Sequence, residues 1–231
     1  MSTSDGATSP LLAAHVVDAR TVGEAWVAVA EQIAATGVAG SYDGAAMREC
    51  LMVTIRVAEP RERDAVVDRD GDPARLAWMH GNFTDTAPVP ALGGADSYAT
   101  RLFDYARTGR DQIAWVAERL RRDRGCRSAT ITTFQPLTDT TYIPCVSLLD
   151  FFVADDRLHL VVYAHSIDFG AKGYGNLVEL AHLLHVVSSR TDVPVGTLQM
   201  IVKSAHVYES DDAETARILA QSEQTMPPDI G

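Results

Sequence analysis

The chain has 231 residues, a formal net charge of −11 and an apolar content of 46%, which suits one soluble globular domain. An acidic chain is a poor binder of polymeric DNA or RNA, although a few local cations can still hold one small anionic ligand. No apolar run approaches the roughly 18 residues of a membrane span. The N-terminus has no basic segment ahead of an apolar one, and the three cysteines are scattered, so we expect a cytoplasmic protein with reduced thiols.

The N-terminal part of the chain predicts a tail and then a helix. Residues 1–15 are rich in Ser, Thr and Gly, which predicts a flexible tail ahead of a single domain over 16–231. Thr21 is a predicted helix cap because Glu24 follows at capping-box spacing. Apolar residues then recur at helical spacing until Gly37, which ends the helix.

The rest of the chain predicts alternating strands and helices. The strands are 51–57, 128–133, 146–153, 158–163 and 198–208, with a hairpin turn at Asp155-Asp156. The helices are 72–78, 113–120, 177–187 and 211–222, and 80–94 is interpreted as a loop. This order predicts an α+β fold, a single domain in which a mixed β-sheet carries helices on one face.

A thiol and several polar residues lie near the ends of predicted elements. Cys145 follows Pro144, which marks the start of a strand because proline cannot sit within a ladder. The polar residues downstream are His165, Ser166, Asp168, Asn176, His206 and Tyr208. From these residues alone, Cys145 is either a buried structural thiol or a nucleophile. Cys50 and Cys126 have no such neighbours and are interpreted as packing thiols.

Two other patterns predict no further chemistry. His182 and His185 lie one turn apart on a predicted helix, but no third ligand accompanies them, so we expect no metal site. The glycines near position 173 are not framed by a strand and a helix in the order that a dinucleotide-binding motif requires.

The order and spacing of these residues resemble the thymidylate synthase family, including its pyrimidine nucleotide hydroxymethylase branch. That family carries Pro-Cys, then Arg-Ser-x-x-Asp, then Asn, then His-x-Tyr. This chain has Pro144-Cys145, then His165, Ser166 and Asp168, then Asn176, then His206-x-Tyr208. The likeness covers residues 20–211 and is strongest from Arg127 onward. It implies a thymidylate synthase-like fold for a divergent member.

The resemblance implies a role for each residue. Cys145 would be the catalytic nucleophile, and Asp168 would hold the base or the folate ring. The implied substrate-binding residues are Arg127, His165 and Ser166 at the phosphate, Asn176 at the base edge, and His206 and Tyr208 at the sugar hydroxyl. Read without the resemblance, Asn176 is equally a helix cap, because Asn is favoured there. Without the resemblance, His206 and Tyr208 are also consistent with two residues on a solvent-exposed face at the end of a strand.

The resemblance also implies partners. The one-carbon donor would be 5,10-methylenetetrahydrofolate, and the acceptor would be carbon 5 of a pyrimidine nucleotide or related metabolite. The transfer would be a methylation or a hydroxymethylation, in a specialised biosynthetic pathway. The protein would be a homodimer in which Arg127 reaches the site of the partner subunit.

Three positions depart from the family's pattern. His165 replaces a phosphate-binding Arg, so phosphate binding would depend on pH. Arg75 replaces a Glu that orders water and moves protons, and a guanidinium is always protonated. Val146 replaces a His, and Glu49 precedes a different strand and is not expected to stand in for the missing Glu. These departures favour, as an alternative, a non-catalytic or repurposed member that serves as a ligand-binding or partner protein.

Overall fold

The computed structural model describes the backbone of residues 14–225 and the side chains of residues 14–222. The strands are β1 (His15–Ala19), β2 (Val38–Tyr42), β3 (Ala45–Val57), β4 (Ala129–Thr132), β5 (Val146–Ala154), β6 (Arg157–Ala164), β7 (Ile167–Asp168) and β8 (Val195–Tyr208). The helices are α1 (Val22–Thr36), α2 (Ala65–Asp70), α3 (Pro73–Thr84), α4 (Tyr98–Phe103), α5 (Gln112–Arg122), α6 (Gly173–Thr191) and α7 (Asp212–Thr225). Most of the predicted tail, residues 1–13, lies outside the described range.

The strands form one mixed sheet, as predicted. The order is β1-β3-β8-β6-β5-β4, with β2 added to β3 and β7 added to β8. The pairs β1–β3, β6–β8 and β7–β8 are parallel, and the other pairs are antiparallel. Helices α1 and α6 pack on the sheet and on each other. They bury Trp26 and Ile33 of α1 and Leu184 of α6 against Val53 and Leu160. The α+β prediction is confirmed.

The opposite face of the sheet carries an apolar row. Strand register places Leu148 beside Tyr163, Tyr163 beside Ile201, Ile201 beside Thr54, and Thr54 beside Val16. Paired residues point to the same face, so the row crosses five strands. Leu148, Tyr163 and Val16 are 38%, 37% and 67% exposed. Within the described chain, the helices therefore cover one face and leave this row open.

The predicted start and end of α1 are confirmed. The hydroxyl of Thr21 accepts the amide of Glu24 at 3.4 Å, and the Glu24 carboxylate accepts the amide of Arg20 at 2.9 Å. These bonds satisfy amides that lack a partner within the helix. At the other end, the amide of Gly37 donates to the carbonyl of Ile33 at 2.8 Å. No helix in the described part of the chain is both long and apolar enough to span a bilayer.

Strand β3 begins earlier than predicted, at Ala45 rather than Leu51. The added segment pairs with β2, a strand that the sequence analysis missed. The two strands are joined by Asp43-Gly44, both with positive φ, at 49° and 79°. An Asp-Gly pair is a strong hairpin signal, because both residues tolerate the left-handed region.

The predicted loop over 80–94 is wrong at its start, because α3 continues to Thr84. The continuation is stabilised by packing against α4, a helix that was also missed. Phe83 is buried and stacks on Tyr98 with ring centroids 4.5 Å apart. The side-chain carbonyl of Asn82 accepts the amide of Tyr98 at 3.1 Å. Tertiary packing thus overrides the weak helical propensity of Gly81 and Asn82.

Candidate active site

Cys145 lies directly before β5, as predicted. Its carbonyl accepts the amide of His165 at 3.0 Å, which fixes it beside the end of β6. The next amide, that of Val146, donates to the hydroxyl of Tyr98 at 3.0 Å. The thiol is half-buried, while Pro144 and Val146 on either side are buried. The backbone is therefore held on both sides of the sulfur.

A buried ion pair holds the loop that leads to Cys145. The guanidinium of Arg101, on α4, donates to both carboxylate oxygens of Asp139 at 2.7 and 2.8 Å. It also donates to the carbonyls of Thr133 at 2.8 Å and Asp96 at 3.1 Å. The side chains of Arg101 and Asp139 are 3% and 8% exposed. A planar, bidentate contact of this kind fixes geometry as well as charge.

Asp168 ends β7 and shapes the turn before α6. Its Oδ1 accepts the amides of Gly170 at 3.0 Å and Ala171 at 3.2 Å. The indole N–H of Trp26 donates to the carbonyl of Phe169 at 2.9 Å and ties the turn to α1. A Cβ at Gly173 would lie 2.8 Å from the Phe169 ring, so only glycine fits at the start of α6. Burial raises the pKa of Asp168, and the nearby His206 opposes that shift.

His206 and Tyr208 point to the same face of β8, as their alternation predicts. Their rings meet edge-on with centroids 4.9 Å apart. Nδ1 of His206 lies 3.5 Å from the hydroxyl of Ser166, and β7 pairing sets Asp168 beside His206. Burial lowers the pKa of His206, so its imidazole is neutral near pH 7. Burial raises the pKa of Tyr208, and the charges of Asp168 and Cys145 add to the rise. Cys145 therefore lies within electrostatic range of the His206–Tyr208 pair.

The thiol of Cys145 is surrounded by groups of both charge types. Burial raises the pKa of Cys145, the cation of Lys172 opposes the rise, and Asp168 adds to it. Tyr142 and Tyr98 are also within electrostatic range of the sulfur, and burial raises the pKa of both phenols. Because only the thiolate is a strong nucleophile, the cation near Cys145 matters for its reactivity.

His165 lies beside Cys145 but is not charged in this arrangement. Its Nδ1 is 3.5 Å from the hydroxyl of Ser147. Burial and the nearby cation of Lys203 lower the pKa of His165. A phosphate bound at this position would have to raise the pKa of His165 so that the imidazole becomes protonated and carries the positive charge that binds the phosphate.

Asn176 lies in the first turn of α6 and is not its cap. The cap residue is Lys172, which makes no side-chain capping bond. The carbonyl of Lys172 accepts both the amide and the side-chain N–H of Asn176, each at 3.1 Å. One N–H and the carbonyl oxygen of the Asn176 amide are not engaged in this bond. They form a donor–acceptor pair, which is what a pyrimidine edge requires.

Arg127 is a predicted site residue that lies far from Cys145. It precedes β4, whose first residue, Ala129, pairs with Phe151, six residues along the strand from Cys145. At the rise of a β-strand this separation is roughly 20 Å. Arg127 is exposed, and its guanidinium donates to the carbonyl of Gly125 at 2.7 Å.

The two positions weighed for the missing Glu have different environments. The guanidinium of Arg75 donates to Asp211 at 3.2 Å and to the carbonyl of Gly170 at 3.5 Å, so it braces the Asp168 turn. Glu49 was set aside because it precedes a different strand. That reasoning was wrong, since Glu49 pairs across the sheet with His206. Its carboxylate also accepts the hydroxyl of Ser204 at 2.6 Å.

The remaining thiols and histidines lie in structural surroundings. Cys50 and Cys126 are buried. Nδ1 of His182 contacts Glu62 at 2.9 Å, and Nε2 of His185 contacts the carbonyl of Pro60 at 2.9 Å. No group of three His, Cys, Asp or Glu within the described residues has the geometry of a metal site.

The sequence analysis missed three residues that surround Cys145, namely Tyr98, Tyr142 and Lys172. The two tyrosines lie on segments to which the sequence analysis assigned no element. Tyr142 is only three residues before Cys145, whereas nothing in the pattern placed Tyr98 near the thiol. Lys172 did carry a signal, because it is one of only two lysines and lies four residues after Asp168.

Comparison with known proteins shows the family of this chain. The family model described as thymidylate synthase matches residues 75–229. Three archaeal proteins, each named “Putative thymidylate synthase”, are similar along nearly their whole length. The identity is 30% for Methanosarcina barkeri (85% of this chain, 91% of the relative), 28% for Methanococcoides burtonii (89% and 94%) and 27% for Methanothermobacter marburgensis (89% and 98%). The chain belongs to the thymidylate synthase family.

Proposed function

We propose that this protein transfers a one-carbon unit from a folate to carbon 5 of a pyrimidine nucleotide, with Cys145 as the nucleophile. The observation that carries the proposal is the grouping of Asp168, His206 and Tyr208 around the half-buried Cys145. Asn176 lies one helical turn further along the same segment. A thiol in that setting, beside groups that suit a polar ring and a sugar, is suited to covalent catalysis.

The chemical step follows from the position of the thiol. The Cys145 sulfur attacks carbon 6 of the base, and the electron pair of the 5,6 double bond moves to carbon 5 and its conjugated carbonyl. Carbon 5 would then bond to the one-carbon unit and lose its proton, and the bond from that unit to the folate nitrogen would break as the folate leaves. Addition of a hydride from the folate (methylation) or of water with loss of a proton (hydroxymethylation) to the one-carbon unit would expel the Cys145 thiolate from carbon 6, which restores the 5,6 double bond and the free enzyme. Glu49 and His206 are the groups placed to hold or move protons at this end of the sheet.

The base that fits best is uracil. The amide of Asn176 retains one N–H donor and its carbonyl acceptor after it bonds to Lys172. Uracil presents the complementary acceptor and donor at O4 and N3. Cytosine presents an amine and an unprotonated nitrogen, which reverses the order.

The residues present also fit a folate. Trp78, on α3, is half-buried and presents a flat ring toward Lys172, whose Nζ lies 6.0 Å from the ring centroid. Asp168 is a carboxylate that can accept N–H groups from a flat heterocycle. When bound, 5,10-methylenetetrahydrofolate supplies the one-carbon unit. The residues that would hold it are Asp168 and Trp78.

The active form is a homodimer that uses the open sheet face. The row formed by Leu148, Tyr163, Ile201, Thr54 and Val16 is apolar at four of five positions and only partly buried. A second copy of the same face is self-complementary under twofold symmetry. Because Arg127 lies roughly 20 Å from the thiol of its own chain, it acts at the site of the partner subunit.

The test is release of tritium from a nucleotide labelled at carbon 5. With 5,10-methylenetetrahydrofolate and labelled uridine or deoxyuridine monophosphate, we expect release that needs both the folate and Cys145. Cys126→Ala is the matched control, because its thiol is buried outside this group, and it should retain the rate. Release that persists in Cys145→Ser, or that does not need folate, would refute the proposal.

A second candidate is a ligand-binding protein that does not catalyse transfer. The observation that favours it is Arg75, which braces a turn where the family has a proton-handling Glu. This candidate predicts nucleotide binding by calorimetry without tritium release under any folate condition.

A further inference from the structure

Two histidines that are remote in the sequence meet where α3 packs against α6. The sequence suggests His185 as the neighbour of His182, but the fold places His80 of α3 beside it, with ring centroids 6.4 Å apart and an interplanar angle of 69°. The two helices approach closely at Gly175, where a Cβ would lie 3.2 Å from the Met79 side chain. Gly175 and His182 are seven residues apart, which is two helical turns, so both lie on the stripe of α6 that faces α3.

Each of these histidines is held by a carboxylate through the same ring nitrogen. Nδ1 of His80 lies 3.2 Å from Oε1 of Glu179. Nδ1 of His182 lies 2.9 Å from Oε1 of Glu62. Within residues 14–222, these contacts leave Nε2 of both rings without a hydrogen bond. A histidine that ligates a metal usually donates its other ring N–H to a carboxylate, which fixes the tautomer and makes the ligating nitrogen more basic. Both rings therefore have the support that a metal ligand needs.

Glu179 carries a negative charge that no Lys or Arg of the described residues neutralises. Its side chain is 6% exposed, and its Oε2 is buried without a hydrogen-bond partner in that part of the chain. A buried carboxylate oxygen without a partner is costly, and a nearby cation offsets that cost. Glu179 and His80 line a cavity of about 290 Å³, whose other charged lining residues are Glu62, Arg63, Asp64 and Asp68. The lining is net negative and therefore favours a cation.

The separation of the two rings suits one metal ion between them. Zn–N bonds are about 2.0–2.1 Å long, so two imidazoles on one ion have ring centroids roughly 5–6 Å apart. The observed 6.4 Å is slightly longer. Because the side chains of His80 and His182 are 60% and 41% exposed, a small rotation of either ring closes the difference without repacking of the core. Since the described residues supply no third protein ligand, water would fill the remaining coordination positions.

We propose that His80 and His182 bind one first-row divalent metal ion, such as Zn²⁺ or Ni²⁺, through their Nε2 atoms. Glu179 and Glu62 hold the rings from behind and supply negative charge, and water completes the coordination. Imidazole nitrogen suits these ions, whereas Mg²⁺ and Ca²⁺ prefer oxygen ligands. The ion links α3 to α6. No residue of this site takes part in the proposed one-carbon transfer, so the inference does not depend on that function.

The test is titration calorimetry of the protein without a histidine tag, with Zn²⁺ and with Ni²⁺. His80→Ala and His182→Ala should each lower the affinity by about tenfold or more, since even residues behind the ligands have effects of that size. The double variant should be little weaker than either single variant, because the two ligands act as one site. Glu179→Gln should weaken binding by about tenfold. The circular dichroism spectrum of each variant should match wild type, because both histidines are exposed.

Two controls separate this site from other modes of binding. His185→Ala should bind as wild type does, because Nε2 of His185 contacts the carbonyl of Pro60 at 2.9 Å. Mg²⁺ in large excess should not displace Ni²⁺, because an acidic surface alone would hold both ions.

Three results would overturn the inference. The first is a His80→Ala variant with the affinity of wild type. The second is a His185→Ala variant as weak as His182→Ala, which would place the ion on α6 alone. The third is displacement of Ni²⁺ by Mg²⁺, which would indicate binding by carboxylates without the histidines.

Discussion

Removing the guanidinium of Arg101 should destabilise the fold more than any surface change. The Arg101→Met variant loses four hydrogen bonds and leaves Asp139, whose side chain is 8% exposed, without its counter-charge. Breaking one half of a buried ion pair costs about 3–5 kcal/mol. Since whole domains are stable by about 5–15 kcal/mol, this is a large share.

The assay is urea unfolding at one fixed protein concentration, because assembly also stabilises the folded state. Arg107→Met is the matched control. Its partner is Asp96, and the two side chains are 50% and 25% exposed, so the loss should be no more than about 1 kcal/mol. Arg101→Met combined with Asp139→Leu should be less destabilised than Arg101→Met alone. An Arg101→Met variant within about 1 kcal/mol of wild type would refute the reasoning.

Three further predictions concern the phosphate site and the dimer. Burial and Lys203 lower the pKa of His165, and a bound phosphate favours its charged form, so nucleotide monophosphate affinity should fall as pH rises toward neutrality. His165→Arg should flatten this dependence. Because the phosphate itself titrates near ~6, the affinities of wild type and His165→Arg are compared at each pH by calorimetry. If the two affinities change with pH in parallel, His165 is not a phosphate ligand. Tyr163→Asp should be monomeric by light scattering at micromolar concentration. Val38→Asp, at a residue with the same 37% exposure on β2, should remain dimeric. The same oligomeric state in both variants would exclude the open face as the interface. Arg127→Ala and Cys145→Ala should each be inactive, but mixing them should restore about a quarter of wild-type activity through hybrid dimers with one complete site, and no recovery would place Arg127 outside the partner's site.

Much of the site was predictable because its residues follow one another in a spaced motif. Cys145 lies directly before β5, Asp168 ends β7 and His206 lies near the end of β8. Because β6 pairs with both β5 and β8, and β7 pairs with β8, a correct strand assignment brings these residues to one region of the sheet. Tyr98 was not predictable in the same way. Its place in the site depends on distances between segments that are remote in the chain, and no local periodicity encodes those distances.

Departures from strand alternation also limited the prediction. Cys50 and Val53 are both buried although they are three residues apart, because Met52 between them has a φ of 58° and is 47% exposed. A register shift also lies between Val146 and Leu148 of β5. Local irregularities of these kinds reverse the faces of a strand, and the two-residue period of the sequence cannot locate them. The role of Glu49 was missed because strand β3 begins six residues earlier than its apolar pattern indicates.

The most direct test of covalent catalysis by Cys145 is the intact mass of the protein after incubation with 5-fluoro-2′-deoxyuridine monophosphate and 5,10-methylenetetrahydrofolate. Fluorine at carbon 5 cannot leave as a proton does, so the bond between the sulfur and carbon 6 should persist. We predict a mass increase equal to the nucleotide plus the folate, located on the Cys145 peptide and lost in Cys145→Ser. An unchanged mass, or an adduct that survives in Cys145→Ser, would contradict the assignment of Cys145 as the nucleophile.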